Sequence, residues 1–381
     1  MYEVSRAQFP ALAFLWPALV AESASEFASA MARDLVNLAI GSETESKEPE
    51  PQWTTRNEVA LELGSVRLRD FSESREGIAT LICAPYALHS ATITDLAVDH
   101  SLVAALRGAG LGRLFVTDWR SASPDMRFLS IDNYLADLNV LVDQIGGAVN
   151  LIGLCQGGWM ALVYAARFPA KVRKLVLAGA PIDIAAGDSR LSALARNVPM
   201  SVFKELVDLG NGRILGRHAL RFWEPNSFDR HAIHPLLQAT DPIGSPGFEQ
   251  LEQRFLDWYA TTVDLPGAYY LEVVERLFKE NRLAEGRLQA LGREADLSNV
   301  CCPLFLLAAR DDEVVAPEQV FATESLIDTT RCPVRKAIAP CGHLGLFMGK
   351  AILSRTWPDV ARWVRAPGRR SPVARAARAR G

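Results

Sequence analysis

Residues 149–168 read VNLIGLCQGGWMALVYAARF. The apolar run Val149 to Leu154 passes through Gly153-Leu154-Cys155-Gln156-Gly157-Gly158 directly into a helix-like segment. A G-x-C-x-G pattern between strand and helix is the form of a nucleophile elbow, with sulfur in place of the usual serine oxygen. The backbone turns so sharply there that neighbouring side chains would crowd, and the elbow glycines Gly153, Gly157 and Gly158 supply the room. The turn exposes the Cys155 sulfur at the C-terminal edge of a sheet, against a helix N-terminus whose unpaired N–H groups and dipole favour thiolate. It also aims the N–H of Gln156 at a reacting carbonyl oxygen, which makes half of an oxyanion hole. The second donor is expected from the loop after Cys83-Ala84-Pro85, at the N–H of Tyr86 or Ala87. A cysteine in a Gly-rich turn can also be only a small buried hydrophobe. The residues further along the chain decide for chemistry.

Outward from the elbow, Ala79 to Ala84, Leu114 to Thr117, Lys174 to Ala178, Leu304 to Ala308 and Val334 to Ala339 are further apolar runs separated by helix-length stretches. Runs buried on both faces that alternate with helices signal a mostly parallel sheet. Ahead of them Val59, Leu61 and Leu63 alternate, Gly64-Ser65 turns the chain, and Val66 and Leu68 alternate again, an antiparallel start. The fold class is α/β. The interval 185–300 lacks buried-strand runs and carries amphipathic patterns such as Tyr269 to Arg282, so it reads as a helical lid. The domain reading is an N-terminal helical segment over 1–55, an α/β core over 56–184 and 301–366, the lid over 185–300, and a basic disordered tail over 367–381.

Past the run PLFLLAAR comes Asp311-Asp312-Glu313-Val314-Val315, and past VRKAIA comes Pro340-Cys341-Gly342-His343-Leu344-Gly345. Nucleophile, acid, then histidine is the chain order expected after such an elbow. His343 can take the thiol proton and return it to a leaving group, while a carboxylate fixes its tautomer and stabilises the imidazolium. Asp312 is preferred over Asp311 because the acid usually directly precedes the x-V-V segment.

With these residues placed, the sequence resembles the polyhydroxyalkanoate synthases, cysteine acyltransferases of the α/β-hydrolase fold. The resemblance runs from about Ala79 to Gly349. It includes TLICAPYALHSATITDL, LFVTDWRSAS, VNLIGLCQGGWMALVYAA, DWYATTVDLPGAYYLEVVERLFKENRL, CPLFLLAARDDEVVAP and CGHLGLFMG. It implies Cys155 as nucleophile, Asp312 as acid and His343 as base, acting on a 3-hydroxyacyl-CoA or a hydroxyalkanoate polymer. Coenzyme A enters as the substrate's thioester, with no other cofactor. The short N-terminal region is like that of family branches working with a second synthase subunit, and a homodimer or a granule surface are the other partners implied. The chain departs from the family at Trp159, where a small residue is usual, and at Glu313, where histidine is common. A polyester or thioester hydrolase of the same chemistry and a non-catalytic granule-associated protein are the rival readings.

Composition agrees. Across 381 residues, 49% hydrophobic and 22% charged residues suit a chain with a sizeable core. Forty-one Lys and Arg against 44 Asp and Glu, a formal charge of −3, leave no field for nucleic acid. The six cysteines contain no C-x-x-C pair and no zinc spacing, which indicates neither a structural metal nor a disulfide framework and points to a reducing, cytoplasmic setting. No apolar run reaches the ~18–20 residues of a bilayer span. The run Phe9 to Val20 has the form of a signal-peptide core, the alternative to a cytoplasmic chain, but the stretch Met1 to Gln8 before it carries Glu3 and is hardly basic.

Weaker signals have bland readings. Gly108 to Gly112 follows a helix and precedes a strand, the reverse of a dinucleotide loop, and reads as a helix stop. His231-x-x-His234 is followed by Pro235 and has no third ligand nearby. His89 lies just beyond the oxyanion loop and is a candidate for the pocket wall. Asp118-Trp119-Arg120 reads as an anchor for the loop at the sheet edge. Phe27, Met31, Leu35 and Leu38 mark an amphipathic helix near the N-terminus, suited to docking on the domain, on a second copy or on a granule.

Overall fold

The computed structural model describes residues 52–223 and 230–367. The helix read near the N-terminus and the tail beyond residue 367 lie outside the described residues. β1 (Glu58–Glu62) and β2 (Val66–Asp70) form the antiparallel start. β3 (Thr80–Cys83), β4 (Leu114–Trp119), β5 (Val149–Leu154), β6 (Val172–Ala178), β7 (Leu304–Ala309) and β8 (Val334–Ala339) then run parallel to one another. The eight-stranded order is β1-β2-β4-β3-β5-β6-β7-β8. The chain steps one way from β3 to β4, then reverses across β3 to β5. Such a reversal opens a crevice beyond the carboxyl ends of the strands.

Burial explains why these runs became strands. Every residue of β3, β5 and β7 is buried, and alternate side chains enter two separate cores. Val149 and Leu151 join the core beneath α2 (Ile131–Gln144) and α3 (Gln156–Arg167). Ile152 and Leu154 join the opposite core with α1 (Leu102–Gly108) and the closing helix Lys350–Arg365. The edges are protected differently: β8 exposes Arg335 and Lys336, and β1 exposes Glu58 and Glu62, charges that discourage edge-to-edge pairing.

Between β6 and β7 lie α4 (Arg190–Asn197), α5 (Met200–Leu209), α6 (Gly216–Trp223), α7 (Arg230–Leu237), α8 (Pro246–Ala260) and α9 (Gly267–Glu272). The helix expected over Tyr269 to Arg282 differs from expectation. After α9 the chain widens into π-helical turns over Val273–Lys279 and stops before Asn281, whose φ is +48°. The inward residues explain the widening. Tyr269 and Tyr270, Val273 and Val274, and Leu277 and Phe278 are buried at intervals of four, so a helix of 3.6 residues per turn would rotate them off the core.

The helical interval is tied to the core at several points. His89 bridges to Thr262, and the N–H of Val263 donates to the Leu88 carbonyl at 2.9 Å. The Arg254 guanidinium on α8 donates to the Leu96 carbonyl at 3.0 and 3.2 Å and to the Thr54 hydroxyl at 2.9 Å.

Candidate active site

The elbow is built from backbone necessity. Cys155 sits between β5 and α3 at φ +47° and ψ −118°, a left-handed conformation that carries a side chain at a cost. A Cβ at Gly157 would lie 2.1 Å from the Cys83 carbonyl oxygen, at Gly158 2.3 Å from Ala180 Cβ, and at Gly153 2.6 Å from Gly158 Cα. These glycines let α3 begin against the end of β3 and let the elbow close. Trp159, where a small residue was expected by resemblance, is fully buried, and its indole N–H donates to Gln156 Oε1 at 2.7 Å. The indole thus pins the Gln156 side chain, leaving that residue's backbone N–H at the first turn of α3, where no partner within the helix exists.

Beyond β7, Asp312 is held by its own loop. Its Oδ1 accepts the backbone N–H groups of Val314 and Val315, each at 2.9 Å, and its Oδ2 accepts His343 Nδ1–H at 2.7 Å. Asp311 instead pairs with Arg310 at the surface. Of the two carboxylates, Asp312 is the one in contact with His343. Burial works against a charged His343 imidazole, but the Asp312 carboxylate, the Cys155 sulfur and hydrogen bonds to both outweigh it and hold the ring well above the usual histidine range. With Nδ1 on Asp312, Nε2 is the ring nitrogen left for the hydrogen bond with Cys155. Cys155, Asp312 and His343 come from three distant segments and are brought together.

Cys155, Gln156 and His343 share the wall of a cavity of about 200 Å³ with Tyr86, Ala87 and His89 from the loop after β3. Among the described residues, neither Tyr86 nor Ala87 donates its backbone N–H to another backbone group. The Tyr86 side chain points away into structure, donating to the Arg120 carbonyl at 3.2 Å and accepting from the Tyr134 hydroxyl at 3.0 Å. Opposite stand helical-interval residues: Leu191 and Leu194 of α4, Trp258 and Tyr259 of α8, and Tyr269, Tyr270, Val273 and Phe278. The sequence reading did not single these out, although the aromatic stretch DWYATTVDLPGAYY was their signal. An apolar lining of this kind disfavours water, and charge interactions strengthen where water is kept out.

The remaining candidates have plainer roles. Asp118 pairs with Arg69 at 2.8 Å, and the Trp119 indole donates to the Ala84 carbonyl at 2.9 Å, so the DWR segment braces the loop after β3. His234 Nε2 meets the Asp241 carbonyl at 3.0 Å, and no cluster of three metal-ligating side chains exists among the described residues. Gly108 ends α1, and Gly110 turns with φ +91°. Burial pushes the Cys83 and Cys341 thiols up to about 12. No helix of the described residues is long and apolar enough to cross a membrane.

Comparison with known proteins gives relatives of sequence and of fold. The family described as PHB de-polymerase C-terminus matches residues 230–367. The poly(3-hydroxyalkanoate) polymerase subunit PhaC of Allochromatium vinosum is 26% identical over 294 residues, covering 75% of this chain and 79% of that one. Its namesake from Synechocystis is 28% identical over 302 residues, covering 75% and 76%. Among solved structures, BpoC of Mycobacterium tuberculosis H37Rv superimposes with a TM-score of 0.50 at 14% identity, covering 80% of this chain and 98% of that one, a likeness of fold. Sheet order, elbow and relatives together identify an α/β-hydrolase fold whose sequence is similar to the polyhydroxyalkanoate synthases.

Proposed function

We propose that this chain is an acyltransferase that forms an acyl-cysteine at Cys155 from a 3-hydroxyacyl-CoA and extends it into polyhydroxyalkanoate. The observation carrying the reading is the hydrogen-bonded line from Asp312 through His343 to Cys155 at the wall of an apolar cavity. His343 takes the Cys155 proton, and the thiolate attacks the thioester carbon. The oxyanion is met by the N–H of Gln156 and that of Tyr86 or Ala87. The C–S bond to coenzyme A breaks, and His343 returns the proton to the departing thiolate. A second hydroxyl then gives its proton to His343, its oxygen attacks the acyl-cysteine, an ester forms, and Cys155 leaves as thiolate to be reprotonated. A thioester intermediate stays activated, so the bond energy of the CoA ester is carried forward.

Water in place of that hydroxyl would give a free acid, the outcome of a hydrolase. The matched family description keeps this second reading in view. Domain limits at 185–300, action in the cytoplasm at a granule surface, and a homodimer or second synthase subunit as partner belong to the same proposal.

The test is incubation of purified protein with 3-hydroxybutyryl-CoA while thiol release and product are followed. Thiol release with polymer supports the synthase and release with free acid supports the hydrolase. A folded protein that releases no thiol overturns both. Cys155→Ala should abolish release without loss of fold, and unchanged turnover in that variant would refute the mechanism.

A further inference from the structure

Two buried polar atoms on the cavity wall have no hydrogen-bond partner among the described residues. The Tyr269 hydroxyl is buried and unbonded among the described residues, and the residue is 1% exposed. Its ring packs against those of Tyr86 and Tyr134, with centroids 5.2 and 4.8 Å away. Yet the hydroxyl line from Tyr134 to Tyr86 to the Arg120 carbonyl passes it by. Burial first, then the neighbouring Tyr134, Cys83 and Cys155, hold this phenol well above the usual tyrosine range. It is a neutral O–H donor, and Cys155 is near enough to act on it. The second orphan is His89. Burial pushes its pKa down to about 4 despite a hydrogen bond to the Thr261 carbonyl, and Nδ1 is buried without a partner. A neutral ring that donates through its other nitrogen leaves Nδ1 as a bare acceptor.

Buried polar groups are seldom left unpaired, because an unmade hydrogen bond in a dry site is costly. The thioester oxygen already has backbone N–H groups at the elbow and at the loop after β3. An unmatched donor therefore remains for a second oxygen on the same ligand. We propose that the Tyr269 hydroxyl donates to the oxygen at C3 of the bound acyl group, a specificity-determining contact that favours 3-hydroxyacyl over unsubstituted acyl chains. A hydroxyl both accepts and donates, and His89 provides the cavity with the complementary acceptor. The inference rests on the acyl-cysteine reading for the position of the acyl chain.

The experiment compares 3-hydroxybutyryl-CoA with butyryl-CoA in wild type and in Tyr269→Phe, which keeps the ring and removes only the hydroxyl. Loss of one hydrogen bond to substrate should lower kcat/KM for the hydroxyacyl thioester about 10- to 100-fold and leave butyryl-CoA nearly unchanged. The variant should melt no lower than wild type, since it removes an unpaired buried group. Equal losses on both thioesters would overturn the proposal and reassign the phenol to the thioester oxygen, and no loss on either would also overturn it. Calorimetry of both thioesters on Cys155→Ala, with and without Tyr269→Phe, reads the same preference as affinity. If wild type releases no thiol, the acyl-cysteine reading fails, while the affinity ratio still decides for or against Tyr269.

Discussion

Replacing Asp312 with asparagine forces a choice that the site's geometry resolves. One carboxylate oxygen accepts two N–H groups at 2.9 Å and the other accepts His343 Nδ1–H at 2.7 Å. An amide can serve only one side as an acceptor. If its oxygen stays on Val314 and Val315, its NH₂ faces His343 Nδ1. The imidazole must then move its proton to Nε2, and the nitrogen facing Cys155 can no longer take a proton. If the amide turns over, NH₂ confronts two N–H donors, and stranding them costs about 1–3 kcal/mol each, roughly 2–6 kcal/mol together. The first arrangement wins. Removing general-base function should slow thiol release in a single turnover by about 10²–10⁴. Urea denaturation of Asp312→Asn should stay close to wild type because both N–H groups keep their acceptor. Asp312→Ala strands them and should lose about 2–6 kcal/mol of stability along with activity. An asparagine variant that turns over within about threefold of wild type, or that unfolds as readily as the alanine one, would refute the reasoning.

Gly157→Ala places a Cβ 2.1 Å from the Cys83 carbonyl oxygen, so the start of α3 must shift. The expected cost is about 1–3 kcal/mol in denaturation and, for a shift of ~1 Å at the elbow, about 10²-fold in thiol release. Gly64→Ala, with nothing within 4 Å, should change neither and serves as the control. For His89, the folded pKa of about 4 lies below the unfolded value of 6.5, so the neutral ring contributes stability that is complete above pH 6.5 and is lost as pH falls towards 4. Between pH 7 and pH 5 this amounts to about 2 kcal/mol, and denaturation of His89→Phe should show a pH difference smaller by that amount. An unchanged pH difference would remove His89 from the acid sensitivity.

The parallel strands could be read from sequence because burial on both faces writes itself as continuous apolar runs, as in VNLIGL and LFLLAA. Cys155, Asp312 and His343 were readable for a related reason: each follows such a run, so strand ends announce them. The cavity roof was not. Tyr269, Tyr270 and Phe278 look like any buried helical face, and nothing in their spacing says that one hydroxyl among them goes unbonded. The π-helical turns were hidden as well, because a repeat of four passes for an ordinary helix. Trp159 stood out only as a departure from resemblance. In the structure its indole holds the Gln156 side chain, a use that residue type and spacing do not announce.

The backbone at Cys155, with φ +47° and ψ −118°, has an evolutionary consequence. Conformations of this kind cost about 1–3 kcal/mol for a residue bearing Cβ, and glycine escapes most of that penalty. Thermal endurance and turnover therefore pull this codon in opposite directions. A library screened for heat resistance alone would enrich sturdy, inert molecules at position 155, and only a selection that also demands product would keep the sulfur.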